Sequence, residues 1–142
     1  MIYEPNQKEF EALINAPIDK RVKHFQDRVG GHCYFWTNLD KDGNLLSGYD
    51  LNNNECISVW PAKAYAEWFW TKSHFKNLNN LKELRPIEVH EFIDEYIDEL
   101  MKANVYILVF PTDEGGALFD AENFKNMMME ELDKYGDYDE IN

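Results

Sequence analysis

The run Val105-Tyr-Ile-Leu-Val-Phe110 is the longest uninterrupted apolar stretch in the chain. Its six residues fall far short of the ~20 that a membrane-crossing helix requires. Branched and aromatic side chains without polar alternation predict a strand buried under cover on both faces. The rest of the chain must therefore supply neighbouring strands and helices to pack on them.

The flanking periodicities supply both. From Gln7 to Val29 the pattern is helical: Phe10, Leu13 and Ile14 form one stripe, and Ile18, Val22, Phe25 and Val29 form another after Pro17. This gives two short helices, or one broken just before Pro17, stopped by Gly30-Gly31. Residues 32–39, 44–49 and 55–60 are short and aromatic-rich, separated by Asp, Asn and Gly clusters, and predict an antiparallel meander. Pro61 opens a helix with Tyr65, Trp68 and Phe69 on one face, followed over 71–83 by an irregular connection, with or without a helical turn. Leu84-Arg85-Pro86 is a short extended segment, since the residue before a proline is held away from helical angles. The clearest helix spans 87–102, with Val89, Ile93, Tyr96, Ile97 and Leu100 as its apolar stripe. After the 105–110 strand, Asp113-Glu-Gly-Gly116 turns and 117–119 returns. Asp120 then caps a helix that buries Phe124, Met127, Met128, Leu132 and Tyr135. The expected architecture is a single α+β domain over 1–142, with its core in 7–135 and a frayed acidic tail over 136–142. A largely antiparallel sheet carries helices packed on it, in the order ααβββα(β)αββα.

Charge narrows the function. Residues 1–82 hold ten acidic and ten basic side chains and residues 83–142 hold seventeen acidic and four basic, so the net charge of -13 comes wholly from the second part. Nucleic acid, whose phosphates need Lys and Arg, and anionic membrane surfaces are poor partners for such a chain. With an acidic residue at position 4 and no apolar run behind a basic start, no secretory leader is predicted and a cytoplasmic location is expected. In that compartment Cys33 and Cys56 are expected as buried free thiols.

Asn38-x-Asp40-x-Asp42-Gly43 begins like a calcium-binding loop, but Leu46 and Tyr49 occupy the ninth and twelfth ligand positions. The stretch is read instead as a hairpin turn with Gly43 in the left-handed conformation. The four histidines show no metal-ligand spacing, and no nucleophile elbow or Gly-rich phosphate loop is present. No catalytic residues, metal site or cofactor are expected.

Two surfaces remain as binding candidates. Trp36, Trp60, Tyr65, Trp68 and Trp70 gather about one strand-to-helix junction, either as core and helix-packing seam or as a partly open aromatic pocket. Glu88, Glu91, Asp94, Glu95, Asp98 and Glu99 lie off the apolar stripe of the 87–102 helix. The pairs 91/95, 94/98 and 95/99 are like-charged at i, i+4, each costing ~0.2–0.5 kcal/mol, so neutralising Glu95 and Asp98 is expected to stabilise the helix.

The segments Trp60-Pro61, Tyr65-Ala66-Glu67, Arg85-Pro86 ahead of an acidic helix containing Phe92, and Phe110-Pro111-Thr112 occur in an order that resembles the bacterial family called domain of unknown function 2750. The resemblance spans about 7–135. It implies a bacterial, cytoplasmic, single-domain protein and brings no activity with it. The expected function is a non-catalytic, protein-binding module, immunity-like or regulatory, whose acidic second part meets a basic protein. The alternative is a small enzyme or ligand-binding protein using the Trp60 to Trp70 pocket. A homo-oligomer is compatible with either and is not legible in the residues.

Overall fold

The computed structural model describes residues 3–141, with side chains through Tyr135. Helices α1 (Gln7–Ile14) and α2 (Ile18–His32) lead into β1 (Tyr34–Asn38), β2 (Gly48–Tyr49) and β3 (Glu55–Val59). Then come α3 (Lys63–Lys72), α4 (Leu78–Lys82), β4 (Leu84–Glu88), α5 (Val89–Glu95) and α6 (Ile97–Ala103). They are followed by β5 (Tyr106–Thr112), β6 (Gly115–Phe119) and α7 (Ala121–Ile141). The α+β class is as expected; in the order of elements, α4 falls in the connection over 71–83 and two helices, α5 and α6, stand where one was expected. Among the described residues no helix is long and apolar enough to cross a membrane.

The strand pairing departs from a meander. β1 pairs antiparallel with β4, so the extended segment ending at Pro86 is a true strand, with Trp36 opposite Pro86. The larger sheet has the order β2-β3-β5-β6, and β3 and β5 run parallel, with Ser58 opposite Leu108. A parallel pair needs a long crossover, here α3 through α6. The two sheets join where Trp36 and Trp60 exchange backbone hydrogen bonds of 2.8 and 2.9 Å.

The meander fails because residues 40–54 are mostly turn. Asp40 Oδ1 accepts the amides of Asp42 and Asn44, both at 2.9 Å. Asp50 Oδ1 accepts those of Asn52 and Asn54, at 3.0 and 2.8 Å. Each carboxylate folds the backbone around itself, with Gly43 and Asn53 at positive φ closing the turn. Only Gly48 and Tyr49 remain to pair with β3.

The core is centred on four phenylalanines from four elements. Phe25 of α2, Phe35 of β1, Phe92 of α5 and Phe124 of α7 make tilted or edge contacts at 5.0–6.0 Å. The expected stripe omits Phe92, although it lies three residues after Val89, on the same helical face. Ile87 and Glu88 belong to β4, and the helix is interrupted at Tyr96, so that α5 buries Val89 and Phe92 and α6 buries Ile97 and Leu100. Tyr96 is only half-buried, and its hydroxyl donates to Gly43 O at 2.7 Å, latching the Asp40 turn.

Gly30-Gly31 does not stop α2. The helix runs through both and ends on Cys33 in the left-handed region. Gly30 instead lets α7 come close: a Cβ there would lie 3.1 Å from Glu131 Cβ. Residues 136–141, expected to fray, continue α7, and Asn142 lies outside the described residues.

Candidate functional site

The larger sheet has two unlike faces. Along β3 and β5, Ile57, Val59, Ile107 and Val109 are buried in the core with α2 and α7. Their neighbours Cys56, Ser58 and Leu108 point the other way, and with Leu118 of β6 they floor a groove of about 540 Å3. That volume is in the ~300–1,000 Å3 range of small-ligand sites. The expectation that β5 is covered on both faces is thus corrected: Leu108 is half-buried because it lies on the groove floor, and Tyr106, on the same face, is half-buried too.

One wall comes from the end of α3 and its connection to α4: Phe69, Trp70, His74, Phe75, Lys76 and Asn80. It is braced at two points. Asn38 is buried, accepts Trp70 Nε1–H at 3.2 Å and donates to Asn80 O at 2.7 Å. Asp113, at the tip of the β5–β6 hairpin, accepts the His74 amide at 2.6 Å and lies 3.4 Å from its ring nitrogen. The opposite rim is the second Asx turn, residues 47–52. Tyr49, Leu51, Phe75 and Leu118 line the groove and are among the exposed large apolar residues, Leu51 at 81% and Tyr49 at 69% exposure.

The end wall is shaped from behind. Phe110 has positive φ and the β5–β6 ladder is irregular between Val109 and Thr112. Arg21, 1% exposed, donates to the carbonyls of Phe110 and Gly115, the latter at 2.8 Å, and to Ala16 O at 3.0 Å. Its Nη2 has no partner among the described residues. The guanidinium is therefore a buried tie for three carbonyls. Gly116 admits no side chain, since a Cβ would meet Val109 O at 2.7 Å.

Of the aromatic residues read as one cluster, the groove takes only Trp70. Trp60 is fully buried, its Nε1–H donating to Pro111 O at 3.2 Å, with ring contacts to Phe69 and Trp70. Trp36 is buried beneath Lys63, with its Nε1–H unpartnered among the described residues. Trp68 is half-buried against the core and away from the groove lining. Tyr65 is buried and belongs to a separate polar cluster. There the Tyr3 hydroxyl donates to Glu9 and lies 3.1 Å from His24 Nε2 and 3.3 Å from Tyr65 Oη, while Arg28 donates to Glu9 at 2.9 Å. Burial pushes the Tyr65 hydroxyl up to about 12 and lowers His24 below its usual value. Glu9 is also raised by burial, but the bonds from Tyr3 and Arg28 outweigh this and hold it below the usual carboxylate range. At neutral pH the cluster acts as a clamp tying the N-terminal segment to α2 and α3.

The acidic residues are brought to one side without being brought to a site. Glu91, Asp94, Glu95, Asp98 and Glu99 are exposed, and none forms an ion pair among the described residues. Glu88 is half-buried and caps α5 by accepting the Glu91 amide at 2.9 Å. No group of three or more His, Cys, Asp or Glu side chains could hold a metal ion among the described residues. Neither cysteine is in a disulfide, and Cys33 terminates α2 instead of lying in a strand.

The groove residues Cys56, Ser58, Leu108 and Leu118 were missed by sequence reasoning, although β3 carried a signal. Its alternation of small residues, Cys56 and Ser58, with branched ones, Ile57 and Val59, marks one face as unfilled. A family model described as protein of unknown function (DUF2750) matches residues 22–128. No curated protein and no solved structure matches the chain.

Proposed function

We infer the function from the groove itself, because the chain belongs to the DUF2750 family, whose description assigns no activity. The reading is a non-catalytic binding protein that takes an apolar ligand over the open sheet face. One observation carries it: Leu108 and Leu118 form an apolar floor between two walls, with further exposed apolar residues at the rims. An exposed apolar patch rimmed by polar groups is the usual mark of an interaction site.

The chemistry of the lining supports binding over catalysis. Burial, with Asp50 and Glu55 nearby, pushes the Cys56 thiol up to about 11, so it is protonated at neutral pH and a poor nucleophile. The Asp50 carboxylate is occupied by its own turn. The test is binding of the apolar dye anilinonaphthalene sulfonate to the native protein. Ser58→Trp, which fills the groove from a half-exposed position, should abolish binding without moving the unfolding midpoint. Dye bound equally by both proteins would overturn the reading.

A second reading rests on the exposed carboxylates of α5 and α6, which have no ion-pair partners among the described residues. We propose this face as a docking surface for a basic protein, in the manner of an immunity or regulatory module, with attraction that weakens as salt rises. A Lys- and Arg-rich peptide should bind the chain at low salt and lose affinity when Glu91, Asp94, Glu95, Asp98 and Glu99 are all made amides. Equal binding to both forms would refute it. Nucleic acid and anionic membranes remain unfavoured partners on the same electrostatic ground.

A further inference from the structure

We propose that the groove's ligand is a small amphipathic carboxylate, an acyl or aromatic monoacid whose body lies on Leu108 and Leu118 and whose carboxylate meets donors at the α3–α4 wall. The proposal rests on the groove reading above and deepens it. Two side-chain acceptors of the groove are already used: Asn38 Oδ1 by Trp70, and the Asp50 carboxylate by Asn52 and Asn54. Thr112 Oγ1 accepts the Glu114 amide at 3.2 Å, which leaves its hydroxyl hydrogen as the free half of the group.

What remains includes several donors. The Thr112 hydroxyl belongs to a side chain only 2% exposed and has no acceptor among the described residues. Lys76 has no ion pair among them, and the Ser58 hydroxyl and the Asn80 side-chain amide have no hydrogen-bond partner among them. A buried donor left unmatched is unfavourable, and a carboxylate offers acceptors to the Thr112 and Ser58 hydroxyls, to Asn80 Nδ2 and to Lys76. Charge selects in the same direction. Lys76 is the lysine of the lining, at the α3–α4 wall, while the acid there, Asp50, keeps its charge on the opposite rim, held by three donors of its own turn. A cationic ligand would meet the Lys76 ammonium as a like charge. A neutral alcohol would accept a hydrogen bond from it but bring no opposite charge.

The experiment is a backbone amide chemical-shift titration of the full chain at pH 7.5 with decanoate, decanol and decylamine. Decanoate should shift Ser58, Leu108 and Thr112 and bind about tenfold or more tighter than decanol, the worth of a charge-assisted hydrogen bond. Decylamine should be the weakest. Lys76→Met should abolish the preference for decanoate over decanol. Equal affinities for decanoate and decanol, or no selective effect of Lys76→Met, would overturn the carboxylate assignment and leave groove binding standing. No shift at the groove with any of the three would bring down the groove reading itself.

Discussion

Gly30 and Gly31 sit side by side inside α2, and their Cα atoms face α7 differently. In a helix, replacing Gly by Ala gains roughly 0.5–1 kcal/mol, because less backbone freedom is lost on folding. At Gly31 nothing opposes that gain: the nearest atoms to an added Cβ are the Tyr135 ring at 3.8 Å, an ordinary contact. At Gly30 the same methyl would lie 3.1 Å from Glu131 Cβ and 3.3 Å from Tyr135 Cε2. A Cβ cannot rotate away from its own backbone, so α7 would have to shift by tenths of an ångström, and overpacking of this kind costs ~1–3 kcal/mol. Gly31→Ala should therefore raise the unfolding free energy by about 0.5–1 kcal/mol, and Gly30→Ala should fall about 1–3 kcal/mol below it. Urea denaturation followed by circular dichroism measures both, with an unchanged slope showing that only the native state has altered. Two variants stabilised to the same extent would show that the helices are not in close contact at Gly30.

The break at Tyr96 reverses part of the sequence-based expectation for the acidic helix. Glu95 ends α5, four residues after Glu91, so Glu95→Gln should raise stability by a few tenths of a kcal/mol. Asp98 lies in the first turn of α6, where a negative charge is favoured, so Asp98→Asn should lower stability by about 0.3–1 kcal/mol and leave the double variant near the parent in a thermal melt. Burial lowers the His24 pKa below its usual 6.5, so the unfolded chain takes up a proton first as pH falls. Stability is full above about pH 6.5 and declines below it, Glu9 adds loss in the same direction below the usual carboxylate range, and His24→Gln should flatten the slope between pH 6.5 and 5 in pH-dependent unfolding. Tyr96→Phe removes the hydroxyl bond to Gly43 O, which should cost about 0.5–1.5 kcal/mol and speed amide exchange at Gly43 and Asn44.

What the residues determined alone was local. Hydrophobic spacing marks α1, α2, α3 and α7 because a helix repeats its inward face at a period its own side chains set. The turn at Asp40 is legible for the same reason: its carboxylate reaches amides two and four residues away and needs no other part of the chain. The family was legible too, from short segments in a fixed order, and the matching of residues 22–128 bears it out. Tertiary structure decided the rest. That β5 lies parallel to β3, and that its second face is left open, depends on where the crossover of α3 through α6 comes to rest, which no period of β5 itself encodes. Gly30-Gly31 has the composition of a stop, yet becomes a helix crossing because α7 packs there and the missing Cβ is what lets it approach. The tryptophans carry the sharpest contrast. Trp60 and Trp70 are equally apolar in the chain, and only the packing of α3 against β1, β4 and β5 puts one wholly in the core and the other in the wall of the groove.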